Sequence, residues 1–139
     1  MRYTYKLSGN NSVGEFDLTK IIAISDPYHT GYGWWQWQIS ILFQGGSRQI
    51  LDFDIDEDDF FRPNGYQSGQ SNLHRIKMKD GSYEDFDIQY GKPLKNEDFE
   101  QTAFYHKMQN DLSDLKSAWH NSISERMKNL NQLIANIIQ

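Results

Sequence analysis

The chain has 139 residues, of which 37% are hydrophobic and 24% charged, with a formal net charge of −5. That length suits one domain over residues 1–139, and the acidic balance lacks the basic footprint of a nucleic-acid binder. There is no cysteine, which excludes disulfides, thiolate metal sites and cysteine nucleophiles.

The start Met1–Arg2–Tyr3–Thr4 is polar, and no apolar run approaches the roughly 18–20 residues of a membrane span. The expectation is a cytoplasmic protein that meets neither a membrane nor nucleic acid directly. Residues 1–93 read as a β region. Tyr3, Tyr5 and Leu7 alternate with polar neighbours, and Ser8–Gly14 is turn chemistry. Phe16–Asp17–Leu18 leads into Ile21–Ile22–Ala23–Ile24, and Asp26–Pro27 ends that run because proline has no amide proton for a ladder.

Trp35, Trp37, Ile39, Ile41 and Phe43 then alternate with Gln36, Gln38, Ser40 and Leu42, the strongest period-two signal in the chain. This parity predicts Trp35 and Trp37 inside and Trp34 exposed on the polar face. Gln44–Gly45–Gly46–Ser47 is a hairpin turn. The return strand carries Leu51, Phe53 and Ile55 on one face, with Asp52 and Asp54 on the other. Residues 56–72 read as a long exposed loop. A second hairpin rises through Leu73, Ile76 and Met78, turns at Lys79–Asp80–Gly81–Ser82 and returns through Tyr83, Phe86, Ile88 and Tyr90.

Residues 96–138 read as helix. Asn96 is the predicted N-cap, with Glu97, Asp98 and Glu100 in the first turn where the helix dipole favours acids. Phe104, Met108, Leu112, Leu115, Trp119, Ile123, Met127, Leu130, Ile134 and Ile137 recur every 3.7 residues or so, about the helical period. Ser122 to Glu125 fits a capping box, which would break the helix near 121–122. Unbroken, it would run roughly 60 Å, about twice the width of a compact domain this size. The surplus apolar stripe at Met127, Leu130, Ile134 and Ile137 then predicts a homodimer through the C-terminal helix.

Hairpin-linked strands followed by a terminal amphipathic helix describe an α+β domain: an antiparallel curved sheet of about six to seven strands, then the long helix. In Phe16–Asp17–Leu18, Ile21–Ala23–Ile24, Trp37–Ile39–Ile41, Ile50–Leu51–Phe53 and Leu112–Leu115–Trp119, the chain resembles the pleckstrin-homology-like fold. That resemblance implies a scaffold or peptide-binding module. The family's first hairpin loop holds phosphoinositides with basic residues; Ser8–Gly14 contains no Lys or Arg, so no lipid headgroup site is implied. In size and charge the chain is similar to small acidic phage inhibitors of host nucleases and to toxin-neutralising immunity proteins.

No HExxH, GxSxG or phosphate-cradling GxxxxGK[ST] motif is present. His106 and His120 are 14 residues apart, nearly four turns, and cannot share a metal on one helix. Beside Tyr105 and Trp119, they are expected to be partly buried packing residues. His29, in the loop before Trp34, has Asp26 and serines as potential partners. An EF-hand loop needs glycine at its sixth position and glutamate at its twelfth. Counting from Asp52 finds Glu57 and Pro63 there, and counting from Asp54 finds Asp59 and Gly65. No catalytic residue, cofactor or metal is expected.

Charge is distributed unevenly. Residues 52–100 hold 13 acids and 6 bases, whereas the remainder holds 6 acids and 8 bases. Asp52, Asp54, Asp56 and Asp58 share strand parity, which would repeat them at about 6.6–7 Å along an outward face. Asp85 and Asp87 form a second such pair, and Asp111 and Asp114 lie outside the stretch. The commonest role of such acids is to keep a strand soluble and block edge pairing. The sharper expectation is a non-enzymatic inhibitor or neutraliser whose acidic β face meets a protein partner's basic groove, as on a nuclease. Tyr28, Tyr32 and Trp34 would add an apolar anchor or, alternatively, a platform for a sugar or other small molecule.

Overall fold

The structure is a computed structural model that describes residues 16–63, 65 and 72–138, together with the backbone of 4–5. The expected strand positions Tyr3 and Leu7, the turn Ser8–Gly14 and most of the predicted loop tip at 64–71 lie outside the described residues. Strand β1 (Thr4–Tyr5) pairs antiparallel with β2 (Phe16–Asp17). A 3-10 turn over Leu18–Lys20 follows, capped by Asp17, whose carboxylate accepts from the Thr19 N–H at 2.9 Å and the Thr19 hydroxyl at 2.7 Å.

The second sheet is built on β5 (Trp37–Phe43), which pairs antiparallel with β3 (Ile21–Ile24), β4 (Tyr28–His29) and β6 (Arg48–Asp52). The β5–β6 hairpin turns through Gly45 and Gly46 at φ of 90° and 89°, a region other residues rarely enter. The third sheet places β8 (Asn72–Lys77) between β7 (Phe60–Phe61) and β9 (Tyr83–Ile88), again antiparallel. Then come α1 (Asn96–Phe99) and the 36-residue α2 (Ala103–Ile138). The α+β class and the two hairpins are as expected. The single sheet of about six to seven strands is not: the described residues form nine strands in three sheets. Part of the excess is β7, inside the predicted loop, and Asn72 is a buried residue of β8.

The helix is interrupted, but not at 121–122. Lys95 rather than Asn96 precedes α1, and the break falls at residues 100–102. There the fully buried Thr102 caps α2. Its hydroxyl donates to the Phe99 carbonyl at 2.7 Å and accepts the Tyr105 N–H at 3.1 Å. Thr102 also bridges Met78, and the Lys79 N–H donates to the Gln101 carbonyl at 2.8 Å, which pins the helix start to the β8–β9 hairpin. Ser122 forms no capping box. Its hydroxyl donates back to the Trp119 carbonyl at 2.7 Å, a bond that a continuous helix accommodates.

Ile39, Ile41, Leu51 and Ile76 from the sheets meet Phe104, Met108, Leu112 and Leu115 of α2 in one core. Trp34 is at its centre, only 1% exposed, with Trp35, Phe60 and Phe104 edge-on at 6.2, 5.7 and 5.9 Å between ring centroids. This reverses the strand-parity expectation. A turn, with the Gln36 N–H donating to the Gly33 carbonyl at 2.9 Å, delays β5 until Trp37 and rotates Trp34 inward. Trp35 and Trp37, expected inside, are half-buried. Trp119 is also half-buried at the core's edge. Beyond Ser122 no side chain of α2 is buried.

Candidate interaction site

Strand β6 ends at Asp52. Asp54, Asp56 and Asp58 therefore do not continue it, and the expected ladder of evenly spaced acids is not formed. The chain instead closes a turn: the Asp59 N–H donates to the Asp56 carbonyl at 3.0 Å, and the Asp56 N–H donates to Asp59 Oδ2 at 2.9 Å. Asp59, which the pattern leaves on an exposed loop, is 4% exposed. Its carboxylate is held by Lys107 of α2, whose ammonium lies 2.9 Å from Asp59 and 2.6 Å from Asp56. Carboxylate oxygens of Asp56, Asp58 and Asp59 lie within 4.8 Å of one another, and the Lys107 ammonium takes the counter-ion position between the first and last.

The other acids divide into separate groups. Asp58 pairs with Lys77 at 3.0 Å, and the Lys77 hydrogen bond and then its charge hold the Asp58 carboxyl below the usual range. Asp85 receives two hydrogen bonds from Arg75, at 2.9 and 3.3 Å, and its carboxyl is likewise lowered, first by that bonding. Asp87 is exposed on β9. Asp52 accepts from Gln38 at 2.6 Å.

Two acids that sequence alone set apart join the first group. Lys107, Asp111 and Asp114 are spaced i, i+4, i+7 and so share one helix face. The Asp111 carboxyl is raised, first by partial burial, then by the charges of Asp114 and Asp54, with Lys107 opposing. Asp56 and Asp59 bind the Lys107 ammonium where the 54–59 turn meets α2, and Asp111, one helical turn on, feels the charges of Lys107, Asp114 and Asp54. Helical spacing puts Asp111 and Asp114 beside Lys107, but only the tertiary fold puts Lys107 against Asp56 and Asp59.

The aromatic loop loses Trp34 to the core. Tyr28 and Tyr32 remain exposed and line an open cleft of about 490 Å³ with His29, Thr30, Gln36, Gln38 and Asp52. His29 pairs with neither Asp26 nor a serine: Nε2–H donates to the Gly33 carbonyl at 2.8 Å, and Nδ1 accepts the Gly31 N–H at 3.1 Å. A Cβ at Gly33 would lie 2.6 Å from the Trp35 ring, so a side chain there would have to displace that ring. His106 and His120, expected to pack, are exposed.

The buried histidine is His74, on the inward parity of β8 with Asn72 and Ile76. Its Nδ1–H donates to the Asn72 carbonyl at 3.0 Å, and Nε2 accepts from Arg62 Nε at 3.4 Å. Arg62 lies over the rings of Trp35 and Phe60 at 5.6 and 5.8 Å. Burial, first, and the Arg62 charge push the His74 imidazole below its ordinary 6.5, against the Asn72 carbonyl and Asp87. The unfolded chain therefore takes up this proton first as pH falls, so stability should decline below about pH 6.5. Urea unfolding at pH 7.5 and 5.5 should show a smaller decline for His74→Gln, and equal declines would reject this assignment.

Among the described residues, no helix is long and apolar enough to cross a membrane. No protein-family model, curated protein or solved structure matches the chain.

Proposed function

We propose that this is a non-enzymatic binding protein whose acidic seam, Asp54, Asp56, Asp111 and Asp114 around Lys107, meets a basic surface on a protein partner. The carrying observation is the Lys107 ammonium bonded to Asp56 and Asp59 of the turn, with Asp111 and Asp114 on the same helix face and Asp54 within electrostatic reach of Asp111. Each lone acid of a solvated face is screened by water. Here burial first, and then repulsion from Asp114 and Asp54, weighs on the half-buried Asp111, and perturbed carboxyls of this kind concentrate at functional sites. Basic groups from a partner would relieve the repulsion, and the excess negative charge would speed encounter. An inhibitor or neutraliser of a nucleic-acid-handling protein fits this charge best, because carboxylates compete with phosphates for a basic groove.

The test is affinity capture with the full chain, followed by association kinetics with the purified partner. Asp54→Asn/Asp111→Asn/Asp114→Asn should slow association about tenfold at low salt and flatten its salt dependence. Asp26→Asn/Glu97→Gln/Glu100→Gln removes the same charge elsewhere and should change little. Equal rates for the two triple variants would overturn the seam as the site.

A second reading, sugar binding, draws on the Tyr28–Tyr32 cleft and the Thr30 hydroxyl, which is buried without a hydrogen-bond partner. Tyrosine rings with Gln36, Gln38 and Asp52 supply the stacking faces and hydrogen-bonding groups that a polyhydroxylated ligand uses.

A further inference from the structure

We propose that the distal part of α2, from Ile123 onward, is an oligomerisation segment covered by the same segment of a second copy of this chain. The body of the protein holds α2 as far as Arg126. That guanidinium donates to the Ser122 carbonyl at 3.2 Å and to the Thr19 carbonyl, in the 3-10 turn, at 3.4 Å. From Met127 to Ile138 every residue is exposed although the helix continues.

Ile123, Met127, Leu130, Ile134 and Ile137 follow one another at steps of four, three, four and three, the spacing of the apolar seam in a coiled coil. Leu133 and Ile138 widen the stripe on its flanks. These seven side chains are 38–78% exposed and leave roughly 800 Å² open, the share that each partner brings to a standard interface. A monomer's largest apolar patch is usually about 300–600 Å².

Charge identifies the occupant. Residues 123–139 carry only three charged side chains, Glu125, Arg126 and Lys128, and none lies between Asn129 and Gln139. Two copies can therefore meet without like-charge repulsion, although the whole chain is acidic. A strongly charged partner would find nothing complementary here. A lipid surface is disfavoured too, because interfacial helices carry many Lys and Arg on the polar face. The segment also includes Asn129, Asn131 and Asn136 beside β-branched isoleucines, weak helix formers that gain from a packed partner. This inference is independent of the acidic seam.

Sedimentation velocity of the full chain should give a multiple of the 16.4 kDa protomer mass, with concentration-dependent dissociation. Leu130→Asp/Ile134→Asp should weaken association by about tenfold or more, because each charge would be desolvated in the seam. Both side chains are exposed in the protomer, so the near-ultraviolet circular dichroism of the tryptophan core should be unchanged. Leu130→Gln/Ile134→Gln makes the same comparison without added charge. A wild-type chain that sediments at the protomer mass up to about 200 μM, well above the micromolar range of typical specific pairs, would overturn the proposal. So would charged variants that associate like the wild type, or co-sedimentation of a monomeric wild type with anionic vesicles.

Discussion

Replacing Trp34 by alanine should cost about 3–5 kcal/mol, the usual range for truncating a buried large aromatic. Domains of this size are stable by only about 5–15 kcal/mol, so the variant should be largely unfolded at modest urea concentrations. The reason is positional: Trp34 joins the turn before β5, strand β7 through Phe60 and helix α2 through Phe104. Its removal opens a cavity where three elements meet. Trp34→Phe should cost much less, because the indole N–H is buried without a partner, and its removal recovers part of the lost packing. Urea unfolding of both variants is the check. A loss under about 1 kcal/mol for Trp34→Ala would place this ring outside the core.

The same residue shows why part of the fold was legible in the sequence and part was not. Period-two alternation finds the β5–β6 hairpin where glycines at positive φ set its turn, but it starts β5 at Trp35 instead of Trp37 and runs β6 past its end at Asp52. It fails before β5 because the turn at Gly33–Gln36 consumes residues without strand geometry. Aromatic side chains are common in both settings, so composition does not reveal the change of register. His74 was readable in principle, since it shares the parity of Ile76 in β8. The helix stripe was legible as a stripe. Its division into a covered half and an open half depends on where the sheets end, which no local pattern contains.

The acidic run was the most misleading segment. Six acids in eight positions, 52–59, look alike, yet the fold treats them as different residues. Asp59 is buried, Asp58 is paired across to Lys77, and Asp56 shares Lys107 with Asp59. The partner of Asp59 is 48 residues away, and pairings of that range leave no local trace. If self-association and seam binding both hold, an oligomer would present two or more seams. A partner with repeated basic sites would then bind with avidity beyond that of one seam.

Lys107→Met is expected to lower stability while raising the rate of partner association. The methionine keeps the stem packed but leaves Asp59 with the Asp56 N–H alone. Stranding a buried carboxylate costs about 3–5 kcal/mol when the pair is fully enclosed. The Lys107 side chain is 35% exposed, so water offsets part of this, and about 1–3 kcal/mol is the expected loss. Asp59→Asn added to Lys107→Met should recover much of it, because the uncompensated charge is then gone. Asp56→Asn alone should cost under about 1 kcal/mol, as that carboxylate is largely in solvent. At the seam the sign is opposite: loss of the Lys107 ammonium raises the local negative charge, so a basic partner should associate faster at low salt and equally at high salt. Urea unfolding measures the first effect and stopped-flow mixing the second. Slower association by a folded Lys107→Met chain would mean that the lysine itself contacts the partner, and the seam would not act through negative charge.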